Sequence, residues 1–163
     1  MIANLLRVSE EEIQQYISDS QLLADRIYDD NAYEDVYLID LDKAWDGIIF
    51  LLTGGSIATT TEELSKVVLG GEVIDEQQDL GYGPARFLTA KEMTVFSQKI
   101  NNLSEAQLKQ KFDPTLMKEK EAYPDIWEEG QGAFYHLFYN FEVLQTFYQE
   151  ATDHHKTIIS FIR

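Results

Sequence analysis

Apolar residues return along this chain in two rhythms, one of strands and one of helices. Ile2 to Val8 is an almost unbroken apolar run closed by Ser9, which reads as a buried strand leading into a helix. Ser9 and Glu12 have the spacing of a capping box, in which the hydroxyl takes a free amide and the carboxylate reaches back. Behind them Ile13, Tyr16 and Ile17 share one helical face. Asp19-Ser20 then predicts a second short helix through Leu22, Leu23, Arg26 and Ile27. The acidic stretch Asp29 to Asp35 has no periodicity and reads as a solvated connection.

Leu41, Trp45, Ile48, Ile49 and Leu52 fall at helical spacing, with Asp42 the predicted N-cap and Gly54-Gly55 the stop. Thr60 or Thr61 caps a further short helix, Glu62 to Leu69, ended by Gly70-Gly71. Glu72 to Gln78 and Ala85 to Leu88 read as strands flanking the loop Gly81-Tyr82-Gly83-Pro84. Thr89 caps a helix over Ala90 to Asn101, Ser104 opens another to about Phe112, and Asp113-Pro114 opens a third that Tyr123-Pro124 ends. The longest helix is predicted from about Gln131 to Asp153, with an aromatic stripe through Phe134, Phe138, Phe141 and Phe147. Lys156 to Arg163 is a terminal strand. No internal repeat, low-complexity tract or linker interrupts the sequence, so residues 1–163 read as one domain.

Charge adds what periodicity cannot. With 29 acidic against 13 basic residues the formal charge is −16, which repels nucleic acid and anionic lipid surfaces. It has two readings: a soluble surface, or attraction to a basic protein, for instance a nuclease toxin neutralised by an acidic immunity-type inhibitor. The absence of cysteine excludes disulfides and thiolate metal sites. No basic leader precedes a long apolar stretch, and Ile48 to Leu52 is too short to span a bilayer, so the expected compartment is the cytoplasm.

Motifs for chemistry are sparse. Val36 to Asp42 with Ile49 to Thr53 imitates the acidic and hydroxyl motifs of haloacid-dehalogenase phosphatases. Only 13 positions separate Asp40 from Thr53, however, too few for two parallel strands and their crossover. Neighbouring His154 and His155 point apart on a helix and cannot converge on one ion, so no metal is expected. Thr53-Gly54-Gly55-Ser56 lacks a P-loop lysine and Gly81-Tyr82-Gly83 lacks the third glycine of a dinucleotide fingerprint, so no cofactor is expected either. What survives is a polar cluster of Asp42, Trp45, Asp46, Tyr82, Arg86, Tyr123 and Trp127, either ligand-binding or structural. Arg86 has apolar neighbours in sequence and, if buried, needs a carboxylate; Asp46 or Asp42 is the expected partner.

Leu41 to Gly55, Val68-Leu69-Gly70-Gly71, Gly81 to Thr89 and Tyr123 to Trp127, in that order, make the chain resemble the YfbM-like family of small bacterial proteins of unknown function. The resemblance implies a cytoplasmic protein whose sheet is covered by helices, with no catalytic residue to carry over. The expected fold is α+β, a small mixed or antiparallel sheet of about three to five strands under helices, with a three-layer αβα arrangement as the alternative. The leading function is a binding or interaction protein with a basic partner. The competing one is a hydrolase or transferase acting on a small anionic substrate in an Arg86-centred pocket, with Asp42 or Asp46 as acid/base.

Overall fold

The computed structural model describes all residues from Met1 to Arg163. Two six-residue strands from opposite ends of the chain, β1 (Ala3–Val8) and β5 (Thr157–Ile162), pair antiparallel from Ala3 opposite Ile162 to Val8 opposite Thr157. Outside β1 lies β2 (Leu38–Asp40); outside β5 lie β4 (Arg86–Phe87) and then β3 (Glu72–Val73). The sheet runs β2-β1-β5-β4-β3, antiparallel throughout. It is the predicted α+β architecture.

Every residue of β5 is buried, because helices cover both faces of the sheet. Alternation along the strands sorts the core in two. Ala3, Leu5, Ile158 and Ile162 face the larger cluster, built from α3 (Trp45–Thr53), α4 (Ala90–Asn101), α5 (Glu105–Lys111), α6 (Pro114–Glu119) and the long α7 (Gln131–Asp153). Leu6, Val8, Ile159 and Phe161 face the smaller one, under α1 (Glu10–Ser18) and α2 (Gln21–Ile27). The result is three unequal layers.

Local signals place most of these helices where the sequence predicts them. Ser9 with Glu12, Thr89 with Glu92 and Ser104 with Gln107 close complete capping boxes, and Asp113 accepts the Leu116 amide ahead of Pro114. Gly54 ends α3 at φ 82°, a left-handed turn in which its amide reaches Phe50 O at 2.7 Å. Within α3, Gly47 lets two other elements approach: a methyl there would meet Leu137 Cδ2 and Trp127 Cη2 at 2.6 Å each.

Local details differ: the strand predicted over Ala85 to Leu88 pairs only at Arg86–Phe87, and the helix opened by Asp113-Pro114 ends at Glu119, short of Tyr123-Pro124. Asp42 is not the N-cap of α3; it lies in a 3₁₀ turn, Asp42–Ala44, at φ 48°, and its own amide is held by Asp40 Oδ1 at 3.0 Å. Glu62 to Leu69 shortens to a 3₁₀ turn over Glu63–Val67. The strand predicted over Glu72 to Gln78 pairs only at Glu72–Val73, because Asp75 folds back on Gln77 and Gln78. β2 is an unpredicted strand, since three half-exposed residues are too few to show a period.

Arg26 clamps the smaller helical layer, bonding Glu12 Oε1 and Asp35 Oδ2 at 2.9 Å each and Tyr16 Oη at 3.1 Å. Burial raises both carboxyl pKa values, but Ser9 and Arg26 at Glu12, and Arg26 and the Tyr37 amide at Asp35, outweigh it, so both end below their ordinary 4.5 and 3.8. Carboxyls depressed on folding stabilise above their unfolded pKa, and that contribution is lost as pH falls through the folded value. The midpoint of thermal unfolding, followed by circular dichroism, should therefore drop as pH falls below 4.5, and drop less steeply in Arg26→Gln. Gly47→Ala should cost about 1–3 kcal/mol in urea unfolding, because neither the α7 leucine nor the indole has room to retreat.

Candidate functional site

All of Trp45 to Leu52 is buried, and Asp46 is the one ionisable residue in that stretch. Both oxygens of its carboxylate are engaged: Oδ1 accepts the Ile57 amide at 2.7 Å and Oδ2 the Tyr123 amide at 2.9 Å. One side chain thus ties the loop after α3 to the segment after α6. Burial pushes its pKa up, against the two amides that pull it down, and burial prevails. Around this carboxylate Trp45 packs on Tyr123 with ring centroids 5.9 Å apart, and the Trp127 indole donates to Ala122 O at 2.7 Å. Asp42 sits exposed at the head of α3, 3.6 Å from His136 Nε2.

Five of the seven predicted residues, Asp42, Trp45, Asp46, Tyr123 and Trp127, are therefore set around the start of α3, and two are not. Tyr82 is exposed at the tip of its glycine loop, beyond β3. Arg86, opposite Ser160 in the sheet, donates to Gly71 O at 3.3 Å and has no carboxylate within 4.0 Å. The expected Arg86 pairing with Asp46 or Asp42 does not form. Both Asp46 oxygens face backbone amides inside the α3 cluster, Asp42 is turned to α7, and the five principal surface depressions are lined without Arg86.

The arginine that does need a carboxylate is Arg7, the penultimate residue of β1. Its side chain is nine-tenths buried between the rings of Phe147, 4.6 Å from the guanidinium carbon, and Tyr37, at 5.6 Å. Nη1 bonds Glu150 of α7, Nη2 donates to Val36 O at 3.3 Å, and Nε is buried with no acceptor. Depressions of about 320 and 420 Å³ open on either side of the Arg7–Glu150 pair. The first is floored by Val36, Ile39, Tyr139, Val143 and Phe147; the second is walled by Tyr37, His154 and Lys156. Sequence reasoning missed Arg7, although Leu5-Leu6-Arg7-Val8 carries the same signal that singled out Arg86.

A family defined as a domain of unknown function, DUF1877, matches residues 1–161. The chain belongs to the DUF1877 family. Protein YfbM of Escherichia coli strain K12 is 26% identical over 140 residues, covering 83% of this chain and 81% of that protein. The crystal structure of E. coli YfbM, described as a protein of unknown function, superposes with a TM-score of 0.76 over 98% of both chains at 22% identity, which shows the shared fold. This DUF1877 chain therefore takes an architecture from its relatives and no activity.

The geometry makes Asp46 a clamp between two loops. Asp46→Asn should lose about 1–3 kcal/mol in urea unfolding, since one amide then faces an N–H donor. Arg86→Ala, which gives up one long hydrogen bond to a carbonyl, should cost on the order of 1 kcal/mol or less.

Proposed function

We propose that this DUF1877 protein is a cytoplasmic interaction protein whose α1–α2 layer docks a basic protein partner, an immunity-type inhibitor of a basic enzyme being one concrete form. The observation that carries the reading is how unevenly charge is distributed. Between Ser9 and Asp35 there are nine acidic residues and one basic one, Arg26, already held by Glu12 and Asp35. Between Glu72 and Pro84 there are four acidic residues and no basic one. The second segment is tied to the same layer: Ser20 donates to Asp75 at 2.6 Å, Gln78 to Ser20 O at 2.7 Å, and Tyr28 to Leu80 O at 2.8 Å.

Exposed apolar side chains lie within this acidic field. Ile17 on α1, Leu22 on α2, Tyr28 just after it and Tyr33 beyond are all solvent-facing. Apolar contacts inside a single-sign rim supply affinity, and the rim supplies rate and orientation. The enzyme reading has less support, because it needs Arg86 and a carboxylate to share an open cavity.

The test is retention of cellular proteins on the immobilised full chain. At low salt a basic protein should be retained and then released as salt rises, since screening shortens the reach of the acidic layer to roughly 3 Å at 1 M. Asp25→Lys with Asp29→Lys and Asp30→Lys should abolish retention, and Lys109→Glu with Lys118→Glu, away from that layer, should leave it intact. Equal retention by both variants, or none by the wild type, would overturn the reading.

A further inference from the structure

In a protein with a charge of −16, one cavity gathers cationic groups. The 420 Å³ depression beside β1 is lined by Arg7, Lys156, His154, Tyr37 and Glu150. Glu150 is its sole acidic residue. Lys156 stands 4.0 Å from Glu12, a carboxylate that Ser9 and Arg26 also engage. Three of the last four carbonyls of α7 are covered too, since the amides of His154, His155 and Lys156 bond Glu150 O, Thr152 O and Ala151 O. The cavity thus presents N–H donors with little to repel an anion.

Directly beside it, across the Arg7–Glu150 pair, the 320 Å³ depression has an apolar floor of Val36, Ile39, Tyr139, Val143 and Phe147, with the exposed Glu142 and Thr146 also in its lining. We infer that the two depressions form one binding site for an organic carboxylate with an apolar body, and that Glu150 occupies the place of the ligand's head group. Three features support this exchange. Arg7 is nine-tenths buried and cannot be left without an anion, whereas Glu150 is half exposed and has water to turn to. Glu150 engages only Nη1 and leaves the buried Nε unmatched, so the guanidinium is incompletely used by its internal partner. A ligand that replaces Glu150 keeps the guanidinium charge paired and in addition removes apolar surface from water, which the glutamate cannot do.

The site lies between α7 and the paired strands β1 and β2, at the border of the acidic layer, where Lys156 is 4.0 Å from Glu12; its ligand chemistry is read out separately from the partner reading. It takes a monoanion with a chain of several carbons, whether a free acid or the exposed end of a larger molecule. An amine would meet Arg7 and Lys156, and a neutral alcohol would leave Arg7 with Glu150 and gain only the apolar floor.

Isothermal titration calorimetry of the full chain with octanoate, octanol and octylamine decides it. Octanoate should bind, and octanol and octylamine should bind at least tenfold more weakly. Glu150→Gln, an exposed change that removes the internal competitor and its millimolar or higher effective concentration, should tighten octanoate binding by about tenfold. Val143→Glu should abolish binding by charging the apolar floor, and Arg7→Met should do the same. If Arg7→Met does not fold, the Glu150 and Val143 variants carry the test. Absence of octanoate binding in both wild type and Glu150→Gln, an unchanged affinity on Glu150→Gln, or tighter binding of octylamine would each overturn the inference.

Discussion

The pairing of β1 with β5 is the constraint on which the other elements depend. Six residues near the start of the chain lie against six near residue 160, so the middle of the sheet is its most non-local contact. Every other layer is referred to it. The small helical layer packs on Leu6, Val8, Ile159 and Phe161, and the large one on Ala3, Leu5, Ile158 and Ile162. With both faces covered, β5 can be apolar at almost every position. Its apolar residues therefore fall on both faces, Ile158 and Ile162 on one and Ile159 and Phe161 on the other, as in strands buried on both sides.

Buried polar groups in this fold are used to fasten loops. Asp46 holds two backbone amides from segments otherwise distant in sequence, Tyr148 donates to Val67 O at 2.8 Å, and Ser160 accepts the Gly70 amide at 3.3 Å from within the sheet. Each joins an irregular segment to a regular one. A loop fixed in this way keeps its backbone groups satisfied without adding a strand or helix. That explains how the long stretch between α3 and β4 packs with only a 3₁₀ turn and a two-residue strand.

Helix starts were the most legible part of the sequence because they are decided within four residues: Ser9, Thr89, Ser104 and Asp113 all cap as their local chemistry dictates. Short elements set by tertiary contact were not. β2 exists because Leu38 to Asp40 happens to reach the free edge of β1, and Asp42 lost its capping role because Asp40 took the turn first. The polar cluster shows the same division. The rule that an arginine among apolar residues needs a carboxylate was sound, but choosing between Arg7 and Arg86 requires knowing which strand is covered. β1 lies under α7, and β4, next to the edge, leaves Arg86 half exposed and within reach of a carbonyl. The charge total was readable at once, yet its confinement to one layer depended on the 72–84 segment folding across onto α2.

That confinement has a consequence beyond net charge. The thirteen acidic residues of the outer layer face a single arginine, while the remainder of the chain carries sixteen acidic against twelve basic residues. A molecule so divided has a dipole moment as well as a monopole. In the field of a cationic surface it experiences a torque, which turns α1 and α2 forward before any atoms touch. Encounter then begins from a narrow range of attitudes in place of a full tumbling search.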